Sequence, residues 1–177
     1  GSARGVKDFI CLTFGTGIGG AIFLNGKLYK GVDSSAGEFG HIITHAGGRP
    51  CTCGGEGCFE QYASASALVR AVEKVTGKEL NGFEIFREEN FSNPEIRHVI
   101  DSWIDEIIIG LKSIIYTFNP SLVVLGGGIM NEDYIIELID RKIYKQLMSS
   151  YKKVNIVKAE LGNNAGMLGV SYEVSKL

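Results

Sequence analysis

Three of the four cysteines in this chain, Cys51, Cys53 and Cys58, fall within eight residues of one another. They lie inside GEFGHIITHAGGRPCTCGGEGCFEQYAS, residues 37 to 64, which also carries His41, His45, three glutamates and seven glycines. One imidazole nitrogen and three sulfurs form a donor set that zinc takes up in closed, tetrahedral, structural sites. His41, Cys51, Cys53 and Cys58 are therefore candidate ligands of a structural zinc ion. Cys51 and Cys53 are spaced too tightly for an easy disulfide, and any bridge within the trio leaves one thiol over. A metal would also order a loop that has too little apolar surface to order itself. The rival reading is three unlinked thiols in a flexible loop, and His45 is a competing nitrogen that spacing alone does not exclude. Cys11, in the apolar run FICLTF, reads as a buried core thiol. This distribution suits a metal better than disulfides, and a reducing, cytoplasmic setting better than an oxidising one.

Glu38 stands three residues before His41, and Glu60 two residues after Cys58. Clamping both ends of the loop at one ion would bring these carboxylates together. Ionised carboxylates only accept hydrogen bonds, so a pair of them suits a ligand rich in hydroxyl donors. A zinc-bound histidine normally donates its other ring N–H outward, toward such a ligand. The surface would then suit a sugar. The plainer alternative makes Glu38 a support for His41 and Glu60 an acidic residue at a helix N-terminus. The residues by themselves leave both readings open.

Two glycine-rich stretches add a second chemistry. In FGTGIGGA, residues 14 to 21, a glycine turn directly follows a strand-like run. Glycines let backbone N–H groups approach phosphate oxygens, and Thr16 adds a hydroxyl. No helix follows and no Lys-Ser/Thr pair is present, which excludes both the dinucleotide fingerprint and the P-loop. Strand, glycine turn, strand is the phosphate clamp expected of actin-like ATPases, although tight hairpins use glycine too. VVLGGGIM, residues 123 to 130, repeats the theme, and ligands of such sheets bind beyond the carboxyl ends of strands.

These residues need a scaffold. The 177 residues are 45% hydrophobic and 21% charged, ordinary for one globular domain. A net charge of −2 gives no basic footprint for nucleic acid, and no run is long and apolar enough to span a membrane. Phe9 to Phe14 reads as a central strand and Ala21 to Leu24 as a second. Asn25-Gly26 signals a hairpin into a third strand, Lys27 to Tyr29. Helical periodicity runs from Glu60 to Val75, and NGFEIFREEN reads as one short helix. A long helix is expected from Pro94 to Phe118, then a strand at Leu122 to Leu125. A helix over about 133 to 149, a strand at Val154 to Val157 and a last helix over about 164 to 175 complete the order. A meander followed by alternating helices and strands indicates a mixed sheet with helices packed on it.

Gly37-Glu38-x-Gly40-His41, Cys51-x-Cys53-Gly54-x-x-Gly57-Cys58-x-Glu60, GTGIGG and LGGGI together resemble the ROK family of bacterial sugar kinases and sugar-responsive repressors. The resemblance covers nearly the whole chain. It implies an α/β, ribonuclease-H-like (actin-like ATPase) lobe with a zinc-stapled loop. Residues 1–177 would be the C-terminal lobe of a two-lobe, glucokinase-like hexose kinase using ATP with magnesium. By resemblance, His41, Cys51, Cys53 and Cys58 hold zinc, while Glu38, His41 and Glu60 contact sugar hydroxyls. Thr16, Gly17 and Gly19 would lie by the ATP phosphates, and Gly127 and Gly128 by the adenosine. Such proteins are usually dimers, and the long helix is a candidate contributor. The catalytic aspartate belongs to an N-terminal lobe that these residues do not include, so the chain alone is expected to be inactive. The alternative is the sugar-sensing lobe of a repressor. Such repressors often lose kinase features, whereas both glycine motifs are intact here.

Overall fold

In β1 (Phe9–Phe14), Ile10, Leu12 and Phe14 are buried on one side of a pleated strand. β2 (Ile18–Leu24) and β3 (Lys27–Tyr29) fold back from it as an antiparallel meander. The second hairpin turns at Asn25 and Gly26, both with positive φ (53° and 74°), as an Asn-Gly turn requires. β4 (Leu122–Gly126) pairs parallel to β1, and β5 (Asn155–Lys158) parallel to β4. The sheet therefore runs β3-β2-β1-β4-β5, mixed as the order of elements implied. The computed structural model describes residues 1–162 together with Met167 and Ser171, so apart from those two positions the helix expected at 164 to 175 lies outside the described residues.

β2 begins at Ile18, three residues before the expected Ala21. Gly19 and Gly20 pair with Thr13 and Leu12, so the glycine turn is shorter than the motif suggested. Gly20 is there because the Phe39 ring and the Gly37 carbonyl occupy the space a Cβ would need.

The helix expected from Glu60 to Val75 is two: α1 (Glu60–Ala63) and α2 (Ala65–Thr76). The break is Ser64, whose backbone is extended (ψ 163°) and whose hydroxyl accepts from Ala67 N–H at 3.1 Å. Serine caps helices better than it continues them. The Ser64 carbonyl accepts from Leu68 N–H at 3.2 Å and also from the Trp103 indole N–H at 2.9 Å. Ala65 N–H donates to the Gly15 carbonyl at 3.0 Å, tying the break to the glycine turn. NGFEIFREEN likewise divides, into α3 (Gly82–Ile85) and α4 (Glu88–Phe91).

α5 (Pro94–Phe118) has the expected bounds, with Asn93 capping its start and Asn119 ending it in the left-handed region (φ 43°). Its wide apolar stripe is used inside the chain, against α1, α2, α4 and α6 (Asp133–Gln146). Ile109 is its one large apolar side chain left exposed. The breadth of the stripe is thus accounted for without a second subunit. α6 stops at Gln146, before the expected 149, and a separate 3-10 turn covers Ser149–Tyr151.

Gly110 of α5 lies against the ring of Phe59, which is fully buried between Cys58 and Glu60 and meets Phe14 edge-on at 6.4 Å. A Cβ at Gly110 would overlap that ring. In an open helix Gly→Ala stabilises by about 1 kcal/mol, whereas overpacking a core costs about 1–3 kcal/mol. Gly110→Ala is therefore expected to be net destabilising in urea unfolding, and Phe59→Leu to restore part of the loss when combined with it. A stabilised Gly110→Ala variant would contradict this packing.

Candidate functional site

The segment between Gly37 and α1 is held by backbone hydrogen bonds that bring its ligand residues together. Ile43 bridges to Cys58 and Pro50 to Glu56. Cys51 N–H donates to the Gly55 carbonyl at 2.8 Å, and Gly54 N–H to the Cys51 carbonyl at 3.0 Å. The donor atoms of His41, Cys51, Cys53 and Cys58 consequently lie within 4.8 Å of one another. Cys53 Sγ is 3.6 Å from Cys58 Sγ, and Cys51 Sγ 3.7 Å from His41 Nδ1. A tetrahedron with zinc–sulfur bonds of about 2.3 Å and a zinc–nitrogen bond of about 2.0 Å has edges of about 3.5–3.8 Å. Sulfurs 3.6 Å apart are far beyond disulfide bonding, so the four residues fit a metal and not a bridge.

His45, the competing nitrogen, is engaged elsewhere. Its ring stacks on Tyr62 with centroids 3.9 Å apart, and its Nε2 faces Glu106 Oε2 at 3.5 Å. Burial pushes the Cys58 thiol up to about 12, with Cys53 and Cys51 adding to the shift. Cys53 is held below the ordinary thiol range by hydrogen bonding to the Gly55 backbone, then to Cys58 and Cys51. Three thiolates this close repel one another, and a divalent cation is the charge that would let all three ionise.

His41 stands between the two carboxylates. Its Nδ1 is 4.0 Å from Glu60 Oε1 and its Nε2 4.0 Å from Glu38 Oε2. Glu60 is nearly buried (14% exposed) whereas Glu38 is open (69%). Glu60 Oε2 accepts from Ile18 N–H in the glycine turn at 3.4 Å. Gln61 Nε2 reaches both Glu60 Oε1 (3.4 Å) and Cys51 Sγ (3.5 Å), linking the ligand cluster to the carboxylate. Glu60 thus faces the turn between β1 and β2, although it opens α1.

Thr16, Gly17, Gly19, Glu38, His41, Glu60, Gly127 and Gly128 all line one cavity of about 490 Å³. A Cβ at Gly17 would collide with Glu60 Oε2. Gly127, at φ 102°, has the Phe14 carbonyl where its Cβ would be. Both glycines are fixed by close approach, and Gly127 by its positive φ as well. A second cavity, about 410 Å³, shares Phe14, Gly15, Thr16 and Gly128 with the first. Its walls add Val69, Arg70, Phe83, Ile129 and Glu132, and they are largely apolar. Gly128 belongs to both cavities, Gly127 to the polar one. Sequence reasoning missed the second cavity's residues. They come from α2, α3 and the turn after β4, and only the fold brings them beside the glycines.

The sequence matches the family model described as ROK family over residues 1–176. The chain belongs to the ROK family. Among ROK relatives, a glucokinase from Streptomyces coelicolor is 33% identical, over 97% of this chain and 60% of its own length. The xylose repressor of Bacillus subtilis is 31% identical, over 97% of this chain and 45% of its own length. The crystal structure of a ROK family glucokinase from Streptomyces griseus, in complex with glucose and AMPPNP, superposes with a TM-score of 0.88 at 29% identity. That match covers 96% of this chain and 61% of the glucokinase. The mixed sheet with flanking helices is the actin-like ATPase fold of the ROK proteins. The chain spans 45% to 61% of the length of these relatives.

Two outcomes test the metal cluster. Cys53→Ser is expected to reduce bound zinc and lower Tm together, by roughly 5–10 °C, the equivalent of a few kcal/mol. Zinc measured by mass spectrometry and unchanged after the substitution would remove Cys53 from the ligand set. Loading the metal-free chain at pH 7 should also release protons, because Cys58 is a thiol there. Zinc affinity should accordingly rise with pH and weaken as pH falls, read by calorimetry in buffers of different ionisation enthalpy; a pH-independent affinity would count against the assignment.

Proposed function

We propose that residues 1–177 are the C-terminal, ATP- and sugar-binding lobe of a glucokinase-like hexose kinase. The reading rests on one observation: a polar cavity with two carboxylates and an imidazole joins an apolar cavity at a shared glycine turn. A hexose needs hydrogen-bond acceptors, a triphosphate needs backbone N–H groups, and a nucleobase needs apolar walls. The three environments follow one another in the order in which sugar, phosphates and base would lie. The Streptomyces griseus relative with glucose and AMPPNP supports the same pairing of ligands.

In this reading Glu60 holds a sugar hydroxyl, kept in place by Ile18 N–H and the Gln61 amide. Glu38 and the His41 Nε2 side complete the contact. His41 Nδ1, with Cys51, Cys53 and Cys58, would hold the zinc, whose part is structural. Thr16, Gly17 and Gly19 line the phosphate path, and Gly128 the passage to the nucleoside. Magnesium would neutralise charge on the phosphates. Phosphoryl transfer is chiefly positioning plus charge neutralisation, and both lobes must contribute to it. The base that takes the hydroxyl proton lies outside these residues, so the chain alone is expected to be inactive. A cytoplasmic, dimeric parent accords with this role.

The Bacillus subtilis xylose repressor supports a second reading, a sugar-sensing lobe without transfer. The kinase is favoured because both glycine stretches, GTGIGG and LGGGI, are intact and line the two cavities.

The decisive measurement is ADP release by the full-length protein with magnesium-ATP and a panel of hexoses, with the 177-residue chain as the inactive comparison. Glu60→Gln in the full-length protein should raise the sugar KM by roughly 10- to 100-fold, the worth of a charge-assisted hydrogen bond. Sugar binding without any ADP release would instead establish the sensor reading.

A further inference from the structure

Phe83 is 66% exposed, yet it lines the wall of the apolar cavity. A large aromatic side chain left in water at the mouth of a pocket is poorly placed for stability, and its position is what a planar ligand would use. The turn that carries it is tied down by hydrogen bonds. Asn81 accepts from Phe83 N–H and Glu84 N–H, both at 3.0 Å, while Glu84 Oε2 accepts from Asn81 N–H at 2.8 Å. Asn90 Nδ2 donates to the Glu84 carbonyl at 2.9 Å, bracing α3 from α4. α3 thus presents the ring on a doubly capped, single-turn support. Gly82 beside it would meet Ile129 of the turn after β4 at 3.8 Å if it carried a Cβ, so the slot between these elements is narrow. Val69 and Ala65 of the α2 face line the same cavity, and among the described residues Glu132 is its one acidic and Arg70 its one basic lining residue.

From this geometry we infer that Phe83 is the specificity-determining residue of the nucleotide cavity, stacking on a purine base whose exocyclic amine donates to Glu132. The inference rests on the proposed nucleotide reading of that cavity and adds the residues that choose the base. Stacking favours the larger π-face of a purine, and an acceptor at the rim favours a base with an amino group, adenine above all. Because the ring is exposed, removing it leaves the core intact.

The test is calorimetric titration of the full-length protein with magnesium-ATP and with magnesium-CTP. Wild type should bind ATP more tightly than CTP. Phe83→Ala should weaken ATP binding by about 5- to 100-fold, shrink the preference over CTP, and leave Tm unchanged. Phe83→Trp should retain both affinity and preference. Glu132→Gln should weaken ATP binding but leave that of magnesium-ITP, whose purine carries a carbonyl in place of the amine, unchanged. If wild type binds ATP and Phe83→Ala binds it equally well, the stacking role is wrong while the nucleotide site stands. If wild type binds neither nucleotide, the nucleotide reading fails and takes this inference with it.

Discussion

The site depends on folding a glycine-rich segment back on itself so that four donor atoms converge. Residues 37 to 60 bury few apolar side chains, Phe39 and Phe59 chief among them, and fixing each residue's backbone costs about 1–2 kcal/mol in entropy. Hydrogen bonds within the loop supply part of the compensation. A metal at His41, Cys51, Cys53 and Cys58 would supply much more, since binding energy at an unformed site is folding energy. The remaining anchor is apolar. Phe59 enters the core between the last cysteine and Glu60, and Gly110 of α5 leaves it room. The cluster and the core thus grip the chain at adjacent residues, and Glu60 emerges from that grip already aimed.

Much of this was legible in the residues. The parallel and antiparallel strands, the Asn-Gly hairpin and both ends of α5 follow from local signals strong enough to survive packing. So did the four donors, because zinc chemistry demands particular atoms at short spacing. What periodicity concealed was the break at Ser64. Alanines on both sides continue a helical pattern, and only the Trp103 indole and the Gly15 carbonyl, both distant in sequence, make the interruption favourable. Gly19 and Gly20 misled for a related reason. Read locally they are turn residues, but they are strand residues kept bare for the approaching Phe39 ring and for the pairing with β1.

The choice between His41 and His45 needed three dimensions. Spacing treats the two nitrogens alike, whereas Tyr62 and Glu106 claim His45 and leave His41 for the sulfurs. The apolar cavity was similarly out of reach, since its walls come from segments that only the sheet and α5 bring near the glycine turn. A lobe of this kind can serve a kinase or a sugar-responsive regulator, because what it provides is recognition and placement; the relatives include both sorts of protein.

The turn between β1 and β2 is fastened at two points: Gly15 receives the Ala65 N–H, and Ile18 donates to Glu60. The same carboxylate therefore serves the wall of one compartment and the hinge of the other. An occupant that bonds Glu60 and an occupant that contacts the turn therefore both touch the ends of one hydrogen bond, Ile18 N–H to Glu60 Oε2. In the proposed kinase, whatever coupling that shared bond carried between the two compartments would act equally in both directions.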